Sequence, residues 1–152
     1  MEKNYFLPLL NDSIKIETLK FYISDFELLE NKKIIYSDKK RYHLLDFENE
    51  NSMNILTSKI TIGNYNVAKF MLGIDSATNV SGAMGGDLDP TKGMYWTWQS
   101  GYINIKLEGK SKVCRTRNHE FQFHIGGYLP PHKTIQEIFV LNFCVFRLRK
   151  LF

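Results

Sequence analysis

No long stretch of this 152-residue chain spaces its apolar residues as a helix does; the pattern that recurs is alternation with period two. Residues 102–108 set Ile103, Ile105 and Leu107 against Tyr102, Asn104 and Lys106. Residues 120–125 set Phe121, Phe123 and Ile125 against Glu120, Gln122 and His124. In a strand such sets point to opposite faces. Residues 14–29 alternate through Ile14, Ile16, Leu19, Phe21 and Ile23, with a phase slip near Glu17–Thr18. That slip predicts one strand with a bulge, or two strands. Asn31 ends the run, and Lys33–Tyr36 reads as the return of a hairpin. Tyr42–Leu45 and residues 67–74 are further strand candidates, and residues 135–146 suit strand or helix. Eleven Phe, eight Tyr and two Trp supply flat rings that pack well on pleated surfaces. The expected fold is all-β, an antiparallel β-sandwich-like single domain over residues 1–152.

One segment breaks the pattern. From Asp75 to Gly93 the chain turns rich in Gly, Asp, Asn and Ser, between strongly apolar flanks. A loop this long in a compact domain is usually functional. Asp75, Asp87 and Asp89 stand there beside Gly85, Gly86 and Gly93. They suit side-chain caps on turns first, with a structural Ca²⁺ held by carboxylates and carbonyls as the alternative. The spacing is not that of an EF-hand. Directly after the loop come Gly93-Met94-Tyr95-Trp96-Thr97-Trp98-Gln99-Ser100-Gly101-Tyr102. As a strand this block puts Trp96 and Trp98 on one face; as a helical turn it makes them diverge. Core packing and the wall of a site are both open to them.

Composition removes several function classes. The net charge of +4 is small, and the basic residues are scattered rather than interleaved with aromatics, so nucleic acid is not an expected partner. Lys39, Lys40 and Arg41 read as a solvated turn. Cys114 and Cys144 form no metal pair and no disulfide framework. No run approaches the ~20 apolar residues of a transmembrane helix, and no signal peptide is visible at Met1–Pro8. The tail, apolar with Arg147, Arg149 and Lys150, lacks a polar finish, which leaves a trimmed or frameshifted product open.

Catalytic signatures are missing. The sequence has no G-x-S-x-G elbow or HExxH, and Gly82 and Gly85 lack the Lys-Ser/Thr of a phosphate loop. The four histidines make no HxH or HxxxH pair. His43 and His124 lie in strand-like, aromatic surroundings, where imidazoles from distant strands can converge; His119 and His132 look like surface residues.

Several words of the chain together resemble the MbnP-like copper-binding domain, in the variant common in Bacteroidetes-type bacteria. They are Asp87-Leu88-Asp89-Pro90, Gly93-Met94-Tyr95-Trp96-Thr97-Trp98-Gln99-Ser100-Gly101-Tyr102-Ile103-Asn104, Lys106-Leu107-Glu108-Gly109 and Phe123-His124-Ile125-Gly126-Gly127-Tyr128. Leu19–Ser24, Tyr42–Asp46 and Gly73–Ser76 fit the same pattern, and the likeness runs from about residue 13 to residue 140. The resemblance implies an extracytoplasmic protein, periplasmic or outer-membrane associated, for copper acquisition or handling. It implies copper held by two histidines and by a tryptophan oxidised to kynurenine through a diheme peroxidase-like partner. Carried over by motif, the imidazoles are His43 and His124, and the modified residue is Trp96 or Trp98. The chemistry is coherent. Copper favours imidazole nitrogen, and unmodified indole is only a donor, whereas kynurenine exposes an aniline nitrogen.

Two other readings compete with this non-enzymatic one. In a β-sandwich module for protein or glycan, the tryptophans stack on the ligand and the acidic loop holds Ca²⁺. In an enzyme, Asp87, Asp89 and His124 would be the best reactive groups.

Overall fold

The computed structural model describes residues 3–8, 12–55, 60, 65–98 and 101–141. Its strands are β1 (Lys3–Leu7), β2 (Asp12–Glu30), β3 (Lys33–Asp46), β4 (Val67–Leu72), β5 (Tyr95–Trp96), β6 (Gly101–Ser111), β7 (Glu120–Gly126) and β8 (Gln136–Leu141). All pairings are antiparallel.

The organising element is β2, which at 19 residues is long enough to serve four neighbours. Its first half pairs with β1 and β6, its second half with β3 and β4. β7 and β5 then add to β6, and β8 adds to β4. A strand that changes partners along its length must bend, and bulges supply the bend. One shift of register falls between Ile16 and Thr18, at the phase slip in the sequence. Another falls at Asp25, whose φ is 49°. The hairpin from β2 to β3 turns on Asn31 and Lys32, both left-handed, as a two-residue hairpin turn requires. The 135–146 run resolves as strand over Gln136–Leu141, while Cys144 and the rest of the tail lie outside the described residues.

The acidic segment is ordered and lies over one sheet face. It contains a short helix, α1 (Ser76–Val80), and two 3-10 turns, Gly86–Leu88 and Pro90–Lys92. Leu88 of this segment, with Ile74 and Met94 at its two ends, is buried against Tyr22, Leu44, Tyr102 and Ile103 of the sheet. The Tyr22 and Tyr102 rings meet edge-on, centroids 6.0 Å apart. The segment therefore works as the second layer that β2, β3 and β6 need on that face. A smaller cluster of Leu28, Tyr65 and Ala68 sits elsewhere.

Buried amides pin the segment. Asn79 Oδ1 accepts from the Tyr102 backbone N–H at 2.8 Å, and its Nδ2 donates to the carbonyls of Ile74 and Asp75, both at 3.0 Å. Asn104 Oδ1 accepts from the Ile74 N–H at 2.9 Å, and its Nδ2 donates to Thr134 at 2.8 Å. Gly73 sits against that side chain with φ 115°; a Cβ there would lie 2.7 Å from Asn104 Cγ. Helix ends and loop amides buried without partners are costly, and these asparagines replace the missing water.

Candidate metal-binding site

The aspartates of the segment act as caps. Asp75 caps α1 by accepting from the Thr78 N–H, and it also accepts from the Tyr42 and Thr78 hydroxyls. Burial pushes its carboxyl up, but those hydrogen bonds outweigh burial and hold it below the usual carboxylate range. Burial raises the Tyr42 hydroxyl to about 12, helped by the same carboxylate. Asp89 accepts from the Thr91 N–H and hydroxyl. Asp87 takes the Leu44 N–H at 3.2 Å and Lys92 at 2.6 Å. All three carboxylates thus have donors from the chain itself.

Past the segment, β5 brings Trp96 to the edge of β6, where it faces Gly101. Trp96 is half-buried, and its six-membered ring rests on Gly126 of β7; a Cβ at 126 would lie 2.6 Å from Trp96 Cζ3. Glycine is required at 126 because the indole and the Tyr102 carbonyl occupy the space of a side chain. Thr97 and Trp98 form a turn rather than more strand. The Trp98 ring, 77% exposed, lies 5.9 Å from that of Trp96 at 47°. The two indoles are therefore neighbours but not equivalents.

His124 stands two residues before Gly126 on β7, so it shares a face with the indole's seat. Its Nε2 lies 2.7 Å from Glu108 Oε1. Burial pushes Glu108 up, yet the His124 bond and the Lys106 charge prevail and keep it below the ordinary range. An ionised Glu108 accepts only, so His124 Nε2 is the donor. In a neutral imidazole that leaves Nδ1 with a lone pair. A carboxylate fixing one ring nitrogen so that the other can bind metal is a common arrangement around metal-ligating histidines.

The sheet separates His43 from this place. On β2 and its neighbours, Lys106 opposes both Lys20 and His124, whereas His43 opposes Ile23. Lys20 and Ile23 are three residues apart on a regular stretch of β2, so they point to opposite faces, and the two imidazoles with them. β2 and β6 also stand between their strands, a gap of about 14 Å at ~4.8 Å per strand. His43 instead meets Asp38, Nε2 to Oδ2 at 3.5 Å, and neither atom has a hydrogen-bond partner. Convergence of His43 with His124, which the carry-over by motif implies, is not the arrangement of this fold.

His132 does reach the indole's surroundings. Trp96, Tyr102, Tyr128, Leu129 and His132 line a cleft of about 160 Å³. That is small beside the ~300–1,000 Å³ of organic-ligand pockets. The 127–135 turn is drawn in because Gly127, at φ 132°, packs on the His132 backbone. Gly126-Gly127 and Pro130-Pro131 mark chain breaks here in the sequence, but nothing in it ties His132 to a tryptophan. His119 is exposed and bonds the Cys114 carbonyl at 2.9 Å. Among the described residues, no three His, Cys, Asp or Glu side chains gather as a metal cluster. No helix among them is long and apolar enough to cross a membrane.

A sequence-family profile described as MbnP matches residues 1–147. Among solved structures, the chain is similar to MbnP from Methylosinus trichosporium, with a TM-score of 0.52 at 18% identity over 86% of this chain. The likeness spans 61% of that relative's length. No curated protein matches.

Proposed function

The chain belongs to the MbnP family, and from that premise we propose that it is a non-enzymatic copper-binding protein of extracytoplasmic copper handling. Copper is its cargo, held where Trp96 and His124 share a face. The observation that carries this reading is the seating of the Trp96 ring on Gly126, two residues from an imidazole already oriented by Glu108. The donor set fits copper in kind, since imidazole nitrogen suits it. It is short in number, and a tryptophan oxidised to kynurenine by a diheme peroxidase-like partner supplies the missing nitrogen. Trp96 is the better candidate for that change, because Trp98 stands out in solvent.

The experiment is copper titration of protein recovered from its native host, with peptide mapping of residues 93–101. The expected result is about one copper per chain, the mass change of kynurenine at Trp96, and loss of binding in His124→Ala. Tight copper binding with both tryptophans intact removes kynurenine from the mechanism. Absence of copper binding removes the proposal. The exposed Trp98 ring beside Trp96 favours, as a second reading, a stacking platform for a sugar. Binding of oligosaccharide by copper-free protein, lost in Trp98→Ala, would support it. A structural Ca²⁺ at Asp75, Asp87 or Asp89 belongs to that reading too, and calcium titration of the melting temperature tests it.

A further inference from the structure

The connection from β6 to β7 leaves the sheet at the end where β1 stops, since Leu7 of β1 pairs with Asp12 of β2, and Ile14 of β2 with Ser111 of β6. Residues 112–119 are closely bonded there. The Cys114 N–H donates to the Ser111 carbonyl at 3.0 Å, the Ser111 N–H to the His119 carbonyl at 2.9 Å, and the His119 N–H to the Thr116 carbonyl at 3.1 Å. Asp12 ties the loop to β2, accepting from the Ser111 hydroxyl at 2.7 Å and from the Val113 N–H at 3.4 Å. What the loop presents to solvent is positive and apolar. Lys112, Arg115 and Arg117 are exposed, and none of the three forms an ion pair among the described residues. Val113, between them, is 53% exposed, and Phe6, next to Leu7, is 61% exposed. We propose that this end of the sheet docks on the anionic surface of a lipid bilayer, with the three cations over headgroup phosphates and Val113 and Phe6 at the acyl boundary.

The distribution of charge favours that partner. Residues 110–119 hold four Lys and Arg and no acid, whereas the rest of residues 1–141 holds thirteen Lys and Arg against sixteen Asp and Glu. A positive end on an otherwise negative body is turned toward an anionic surface by the field itself. The neighbouring acids do not cancel the loop. Glu17 and Glu120 are taken by Lys110, at 3.4 and 3.6 Å, and Asp12 by its two donors with Lys112 beside it. The exposed apolar groups decide between a bilayer and a soluble polyanion. Phosphate in solution covers neither Val113 nor Phe6, whereas the headgroup boundary takes cations and apolar side chains together. Each cation near an anionic leaflet is worth about fivefold in partition, so three give on the order of a hundredfold. The candidate metal-binding site is not in the way. Gly126, the seat of Trp96, lies at the other end of β7, about 20 Å along the strand from Glu120. Docking at the loop keeps the Trp96 cleft away from the lipid.

The test is co-sedimentation of the full, copper-free chain with sucrose-loaded vesicles, of phosphatidylcholine alone or with about 30 mol % phosphatidylglycerol. Copper plays no part in it, so its failure leaves the copper reading standing. Partition onto the anionic vesicles should exceed that onto the neutral ones by about a hundredfold near ~0.1 M salt, and should be lost at about 1 M, where the screening length falls to ~3 Å. Arg115→Gln with Arg117→Gln should weaken it by about twentyfold, with an unchanged circular dichroism spectrum. Lys33→Gln with Lys133→Gln removes the same charge from exposed positions outside the loop and should change it by less than about threefold. Val113→Ser removes apolar surface and no charge, so it should weaken binding about threefold or more with the same salt dependence. Should the double arginine variant unfold, Lys112→Gln with Arg117→Gln is the substitute, with the same loss expected. Equal partition onto both vesicles overturns the proposal, as does an equal loss in the lysine and arginine pairs. So does a loss found only when Arg147 and Arg149 of the tail are replaced by Gln. Release from the vesicles by millimolar inorganic phosphate at constant ionic strength marks a site for soluble phosphate, and overturns it too.

Discussion

Asn79 is the residue on which the ordered segment over the sheet most depends, and Asn79→Ala measures that dependence. The wild-type side chain is buried and makes three hydrogen bonds to backbone groups. Alanine leaves the Tyr102 N–H inside the protein with no acceptor, a loss of about 1–3 kcal/mol. The two bonds to the Ile74 and Asp75 carbonyls contribute about 0.5–1.5 kcal/mol each. Alanine's better helix propensity returns only a few tenths, because α1 is five residues long and does not stand by itself. The expected loss is roughly 3 kcal/mol, which for a chain of this size lowers the melting temperature by about 6–12 °C. Urea unfolding followed by circular dichroism and by tryptophan fluorescence reads it. Val80→Ala, next in the same helix but 72% exposed, is the control and should stay within about 0.5 kcal/mol. If Asn79→Ala costs no more than Val80→Ala, the segment is held by its apolar contacts alone and the reasoning fails.

Three further outcomes follow from the site and its surroundings. Gly126→Val should drive the indole off β7, seen as a red shift of tryptophan emission and at least tenfold weaker copper binding; unchanged emission would mean Trp96 rests elsewhere. His43→Ala should leave copper binding within twofold, because its imidazole faces away from His124, whereas Glu108→Gln should weaken binding by removing the charge that orients His124; the reverse ranking by titration would return His43 to the site. Asp75 and Glu108 are held below their ordinary values in the fold, so their contribution to stability is present above the unfolded pKa and is lost as pH falls through the folded one. Stability should therefore drop below about pH 4, and Asp75→Asn should flatten that part of the profile; an equal slope in both proteins would contradict the linkage.

Much of the secondary structure was legible because alternation is a property of residues adjacent in the chain. The slip at Glu17–Thr18 became the register shift between Ile16 and Thr18, and the runs at 102–108 and 120–125 became the cores of β6 and β7. The turn chemistry of Asn31 and the capping role of Asp75 and Asp89 were legible for the same reason, since each acts within a few residues. The family was legible too, because its words are contiguous. The sequence did not reveal that Asn79 and Asn104 are keystones: a polar residue in a loop, or on the polar side of an alternating strand, reads as solvated until the fold covers it and removes the water. Nor did it reveal which faces meet. His43 and His124 have similar neighbours, but each face depends on the parity of registers carried across β2 and β6, and one residue of slip on any ladder reverses it. The sequence by itself determined the strands, the caps and the kinship. Only the tertiary structure decided which face of the sheet each imidazole takes, because that choice is made by pairings between residues up to a hundred positions apart and not by anything local to either histidine.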